Sequence, residues 1–242
     1  MVSVYVCYFR IMKVMNVLFI PALISATLTA CQPRPGDSTS AELLVEETFE
    51  NGLDSNVWIA EIAPEPNSAV YVADGKLWLD TYGGVTVWLN HLLEGNVAIE
   101  YERTIVVDSG ANDRLSDLNQ FWMATDPMAD NLFSRSGVFE TYNPLSLYYV
   151  GMGGNTNTTT RFRKYEGDGT KPLLYEHTRR LEANHTYRIR TEVIDGVTTF
   201  SVDGHLLFSH TDPHPLTKGY FGFRSTYSRQ SIDNVRIYQL PE

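Results

Sequence analysis

The sequence predicts an all-β protein folded as an antiparallel two-sheet jelly-roll sandwich. Short segments alternate apolar, β-branched and aromatic residues with polar ones, and Gly, Pro, Asn and Asp separate them. The dipeptides Asp74-Gly75, Asp195-Gly196 and Asp203-Gly204 sit between such segments, where two-residue hairpin turns are built. No stretch longer than about two turns keeps the helical apolar period, so helical crossovers that would join parallel strands are not expected.

The first element in chain order is an address. Arg10 and Lys13 precede an apolar run over 14–28 that is too short and too interrupted to span a membrane, but suits a signal peptide. Translation starting at Met12 or Met15 would fit that reading, with 1–11 an extension. The run ends in Leu28-Thr29-Ala30-Cys31, which resembles a bacterial lipobox and implies cleavage before Cys31 and lipidation of that residue. Gln32 in the next position, by the same resemblance, implies an outer-membrane lipoprotein facing the periplasm or the cell surface. Acyl chains contribute about 0.8 kcal/mol per buried CH₂, so a multiply acylated cysteine anchors stably. The expected organisation is a signal peptide over 1–30, a flexible tether over 31–42 and the jelly roll over 43–242.

Within the domain, strands are predicted at 43–49, 69–72, 76–81, 85–89, 96–107, 119–125, 137–141, 146–151, 159–165, 187–194, 197–202, 205–209, 219–225 and 231–240. Composition narrows the function. The chain has 242 residues, 43% hydrophobic and 20% charged, which excludes disorder and a polytopic membrane protein. A net charge of −10 argues against a nucleic-acid partner. The charge is uneven: residues 31–160 carry a net −14 and residues 161–242 a net +2, so a locally basic surface is expected. Only Cys7 and Cys31 are cysteines, so the domain holds no disulfide framework and no cysteine zinc site. His205 and His210 alternate to opposite strand faces and His214 lies between prolines, a poor zinc arrangement.

The opening Glu47-Thr48-Phe49-Glu50-Asn51-Gly52-Leu53 with Val57-Trp58 and the hairpin Asp74-Gly75-Lys76-Leu77-Trp78-Leu79 resemble the first strands of concanavalin A-like lectin/glucanase sandwiches. Gly219-Tyr220-Phe221-Gly222-Phe223-Arg224-Ser225 and Ile232-Asp233-Asn234-Val235-Arg236-Ile237 resemble their closing strands. The central segments 113–124, 148–155 and 159–165 resemble a bacterial family of unassigned function in that superfamily, associated with polysaccharide degradation. The resemblance implies a carbohydrate partner, no required cofactor, and a structural Ca²⁺ for which Glu47, Asn51 and Asp233 are the candidate ligands.

The carboxylate signatures of classical hydrolases of this fold, Glu-x-Asp-x-x-Glu and Glu-x-Asp-x-Glu, are absent; Glu100-Tyr101-Glu102 and Glu166-Gly167-Asp168 are the nearest approaches. The residue types for β-elimination from a uronic acid are present. Alternation puts Arg161, Arg163 and Tyr165 on one face of a strand, where guanidiniums can grip a sugar carboxylate. Tyr148 and Tyr149 point to opposite faces; Tyr149 is the expected base, provided a cation lowers its pKa from about 10. Asn119 or Gln120 is expected to add an amide donor, and Trp122 and Trp88 are candidate stacking platforms for the glycan, although a core position is the commoner one for a tryptophan. The sequence therefore points to a lyase acting on an acidic polysaccharide. A hydrolase with a non-classical acid pair and a non-catalytic glycan-binding lipoprotein stay open.

Overall fold

Fourteen antiparallel strands build the domain: β1 (Glu42–Glu47), β2 (Trp58–Ile62), β3 (Ala69–Ala73), β4 (Lys76–Leu89), β5 (Leu93–Glu94), β6 (Val97–Val106), β7 (Leu118–Thr125), β8 (Ser146–Gly153), β9 (Thr159–Glu166), β10 (Leu173–His177), β11 (Thr186–Ile194), β12 (Val197–Val202), β13 (His205–Thr211) and β14 (Lys218–Gln239). The computed structural model describes residues 40–242, so Cys31 and the apolar run before it lie outside the described residues.

Strand β14 belongs to both layers. Its first half pairs with β7 on one side and β4 on the other, and its second half pairs with β6. One layer runs β10-β9-β8-β7-β14 and continues through β4 to β2; the other runs from β14 through β6, β11 and β12 to β13. The layers meet in an apolar core. Phe162 of β9 packs on Phe208 of β13 with centroids 5.8 Å apart, and the Trp122 indole donates to Thr198 Oγ1 of β12 at 3.1 Å. Each aromatic side chain withdrawn in this way contributes about 1.5–3 kcal/mol.

The three Asp-Gly pairs turn as their composition requires. Each has both residues at positive φ (52° and 65°, 48° and 78°, 53° and 76°), the geometry of turns that match the strand twist. Other expectations are corrected. The segment 137–141 is no strand: Phe139–Tyr142 forms a 3-10 turn that lays Tyr142 into a second apolar cluster with Trp88, Phe121, Leu145 and Tyr165. The pairs 76–81 with 85–89 and 219–225 with 231–240 fuse into single long strands, joined across facing bulges at 81–84 and 226–228. The strands β2, β5 and β10 have no counterpart among the predicted segments.

The second cluster decides where a ligand has access. It lies on the outer face of the β7–β8–β9 layer and is roofed by the segment between β7 and β8. Glu61 pins that roof: its carboxylate accepts the Trp88 indole N–H at 2.8 Å, the Tyr142 hydroxyl at 2.7 Å and the Arg135 backbone N–H at 2.6 Å. Arg224, fully buried, donates to the Gly137 carbonyl at 2.6 Å. The roof ends at Phe139 and Glu140, and beyond it the outer face is open.

Candidate functional site

Beyond the roof, β7, β8 and β9 floor a cleft of about 520 Å³. Pairing register lays its residues out in two rows. In the first, Asn119 of β7 faces Gly151 of β8, which faces Arg161 of β9 and then Glu176 of β10. In the second, Phe121 faces Tyr149, which faces Arg163. Alternation on β9 sends Thr160, Phe162 and Lys164 inward and leaves Arg161, Arg163 and Tyr165 toward the cleft, as predicted.

The first row has a gap. Gly151 carries no side chain, and the Tyr149 hydroxyl leans into the vacated place: a Cβ there would collide with that hydroxyl and lie 2.9 Å from Asn119 Oδ1. Glycine is required here for close approach. Around the gap stand Arg114, Asp117, Asn119, Arg161, Arg163 and Lys171. Phe121, Phe139 and Tyr165 cradle the Tyr149 ring at centroid distances of 5.6, 6.1 and 6.0 Å. The Lys171 ammonium sits 5.4 Å over Phe139 and 5.7 Å over Tyr165, and donates to Asn143 at 2.8 Å.

Several of these polar groups are unspent. Asn119 Oδ1, Arg161 Nε and Tyr165 Oη are buried without a hydrogen-bond partner, as is Nε of Arg224, the register neighbour of Asn119 on β14. Leaving such a group unmade costs about 1–3 kcal/mol, and these four atoms lie together at or beneath the cleft floor. Arg161 has one flanking partner, Glu176 at 3.5 Å; Arg163 donates to the Lys171 carbonyl at 2.8 Å. From the core side, fully buried Arg103 fixes the floor, donating to the carbonyls of Asn119 at 2.8 Å and Arg224 at 2.9 Å, while burial lowers its own pKa to about 10.

A further carboxylate, Asp117, stands beside the predicted residues. It lines the cleft, takes a left-handed φ of 68°, accepts from the Ser116 hydroxyl at 3.1 Å and lies 3.9 Å from Arg114. Burial raises its pKa against the lowering influence of Arg114. A carboxyl with raised pKa in a cleft is a mark of acid–base chemistry; in sequence, an acidic residue in a loop gives no such signal. Glu140, exposed, is the second carboxylate at the rim. Asn155, Thr156 and Asn157, in the turn after β8, hold φ of 52°, 57° and 60°, so the cleft edge is also locally strained.

The expected lowering of the Tyr149 pKa is corrected. Burial, followed by the charge of Asp117, raises it well above 10, and the nearby Arg224 and Arg163 offset this only in part. Tyr165 is likewise pushed up, to about 12, by burial. Both phenols are therefore proton donors at neutral pH.

Four predicted contacts fall elsewhere. Tyr148 points into the core, where its hydroxyl donates to Asp212 at 2.6 Å. Gln120 is also inward, accepting from Tyr101 at 2.7 Å and donating to Thr191 at 2.6 Å. Trp122 is in the core because it shares the inner face of β7 with Leu118 and Gln120; a bulge at Met123, φ 51°, then breaks the alternation and turns Met123 inward as well. Trp88 does face outward, but the roof covers it completely. As for calcium, Glu47 uses one oxygen on the Phe49 N–H at 2.7 Å and the other on the Trp58 indole at 3.4 Å, and Asp233 accepts from the Asn234 N–H. A calcium ion needs six to eight oxygens, and among the described residues no three His, Cys, Asp or Glu side chains cluster for a metal. The Glu100–Glu102 pair is part of a salt-bridged surface, with Glu100 bound to Arg190 and Glu102 accepting from Asn234 at 3.1 Å.

Comparison with known proteins places this geometry in a family. The model of a domain of unknown function, DUF6250, matches residues 79–235, and the chain belongs to that family. No curated protein matches the chain. Among solved structures, it is similar to a protein of unknown function with a galectin-like fold from Bacillus subtilis (TM-score 0.64, 16% identity, 82% of this chain and 96% of that one). It is also similar to the carbohydrate-binding module CBM66 from Bacillus subtilis (0.54, 16%, 76% and 96%). The catalytic domain of an endo-1,3-beta-glucanase (laminarinase) from Thermotoga petrophila RKU-1 is a third (0.55, 13%, 84% and 100%). At these identities the likeness shows the fold, a concanavalin A-like jelly roll.

Proposed function

We propose that this protein binds an acidic, uronate-containing polysaccharide in the cleft on β7–β9 and cleaves it by β-elimination. The carrying observation is the unspent polar set of Asn119, Arg161 and Tyr165 beside Arg163 and Lys171, around the gap at Gly151. Carbohydrate-binding and carbohydrate-cleaving proteins among the structures of the same fold support the substrate class.

The chemistry follows from the charges. Arg161 and Arg163 pair with the sugar carboxylate, which stabilises the enolate-like charge that develops as C5 loses its proton. The Asp117 carboxylate, made more basic by burial, takes that proton. The C5–H electrons form the C4=C5 double bond, the C4–O4 bond breaks, and O4 takes the phenolic proton of Tyr149. Holding Tyr149 protonated, a handicap for a base, is what a donor to the leaving oxygen requires.

A second reading rests on the two carboxylates at the cleft, Asp117 and Glu140, which would serve a hydrolase as a non-classical acid pair. Incubation with alginate or polygalacturonate separates the readings. Elimination gives ultraviolet-absorbing unsaturated ends in step with new reducing ends; hydrolysis gives reducing ends alone. Retention of the polysaccharide without either product makes the protein a binding module. We propose further that the domain is tethered to the outer membrane through a lipidated Cys31.

A further inference from the structure

The predicted sugar platforms Trp88 and Trp122 are covered, yet the surface next to the cleft carries another set of aromatic rings. On β4, Trp78 and Tyr82 alternate with the buried Leu77, Leu79 and Thr81 and so share the outer face. Tyr82 is 50% exposed and packs on Tyr227 of β14 with centroids 4.8 Å apart and planes tilted by 50°. Four residues back along the strand, Trp78 stacks on Tyr71 of β3, nearly parallel at 8° and 6.3 Å.

Tyr227 is held where a tyrosine does not sit by preference. The register between β14 and β4 slips from Thr226–Gly84 to Ser228–Thr81, and Tyr227 takes a left-handed φ of 45° in the bulge. For a bulky residue that conformation is strained, and such strain clusters at ligand clamps. Arg114 maintains it: Nε donates to the Tyr227 carbonyl at 2.8 Å and Nη2 to that of Thr226 at 2.6 Å, with the guanidinium 5.0 Å over the Tyr227 ring. Arg114 and Thr226 also line the cleft. One arginine thus forms the cleft wall with one side and seats the aromatic pair with the other.

We propose that Tyr82 and Tyr227 form a distal subsite that stacks on a further sugar ring of the same polysaccharide, beyond the unit held by Arg161 and Arg163. The proposal rests on the glycan reading of the cleft. Its ligand class is the apolar face of a pyranose ring, charged or neutral, in a chain long enough to pass Arg114. Isolated exposed aromatics are ordinary on protein surfaces; a strained, arginine-seated pair continuous with a cleft is not.

The test is affinity against chain length. Wild type, Tyr82→Ala and Tyr82→Phe are titrated calorimetrically with oligo-uronates from disaccharide to octasaccharide, using the Tyr149→Phe background so that no turnover occurs. Tyr82 is half-exposed, so its removal should leave the fold intact, and circular dichroism checks that. The expected result is that short oligomers bind all proteins alike, while long oligomers bind Tyr82→Ala about three- to tenfold more weakly and Tyr82→Phe normally, the size expected of one aromatic contact. Chain-length dependence identical in wild type and Tyr82→Ala overturns the subsite while leaving the cleft reading standing. Absence of binding to any oligo-uronate in the Tyr82-intact protein overturns the cleft reading and the subsite with it.

Discussion

Replacing Arg161 by alanine separates a functional arginine from a structural one. Its ion pair with Glu176 spans 3.5 Å between groups 33% and 47% exposed. A pair so accessible to solvent contributes about 0–1 kcal/mol. Its Nε is buried without a partner, a penalty of about 1–3 kcal/mol that the substitution removes. The two effects oppose each other and the second is the larger, so Arg161→Ala is no less stable than wild type. Loss of a donor to the developing enolate charge costs about 2.7–4 kcal/mol, or 10²–10³ in rate. Thermal unfolding and initial rates of unsaturated-end formation, measured on the same preparations, check both. A variant as active as wild type and less stable by several kcal/mol would mean that Arg161 is a strut and that the cleft lies elsewhere.

Other outcomes follow from the same geometry. Gly151→Ala should fold, because the atoms its Cβ meets are side-chain ends, but should lose activity as the Tyr149 hydroxyl and Asn119 are displaced; wild-type turnover would show that the gap is not the substrate's place. Tyr149→Phe should abolish turnover and keep affinity, read by calorimetry. The rate should rise as pH climbs through the raised pKa of Asp117, since a base works only when deprotonated, and should hold through neutrality because Tyr149 keeps its proton to well above pH 10. A rate that rises only in alkali would return the base role to the phenol. Asp117→Asn should lose about 10²–10⁴ in rate while raising Tm at neutral pH. The ionised form is the one burial penalises, so the gain should vanish as acid protonates the wild-type carboxyl. Fatty-acid labelling should mark wild type and not Cys31→Ser; equal labelling would remove the lipobox.

The strand face that carries Arg161, Arg163 and Tyr165 was legible because alternation on β9 is unbroken from Thr159 to Glu166. Trp122 lies inward with Leu118 and Gln120, whereas simple alternation groups the apolar Phe121 and Met123 as the core face; Met123 is inward only through a bulge, and nothing in Gln120-Phe121-Trp122-Met123 announces its positive φ. For Trp88 the face was correct and the cover was missed. The roof is held by Glu61, Arg135 and Arg224, residues distant in sequence whose hydrogen bonds have no local pattern. The same limit hid Asp117 and the Tyr149 pKa: residue type suggested that a cation would win, but burial, which depends on the whole fold, outweighs it.

The central claim is that bond cleavage in this cleft is elimination without water. Mass spectrometry of the oligosaccharides released from a uronate polysaccharide in ¹⁸O-labelled water tests it most directly. Elimination gives products one water lighter than the intact oligomers, with no solvent oxygen introduced by cleavage itself once exchange at reducing ends is subtracted. Full-mass products carrying a solvent oxygen would contradict it and would make Asp117 and Glu140 the acid pair of a hydrolase.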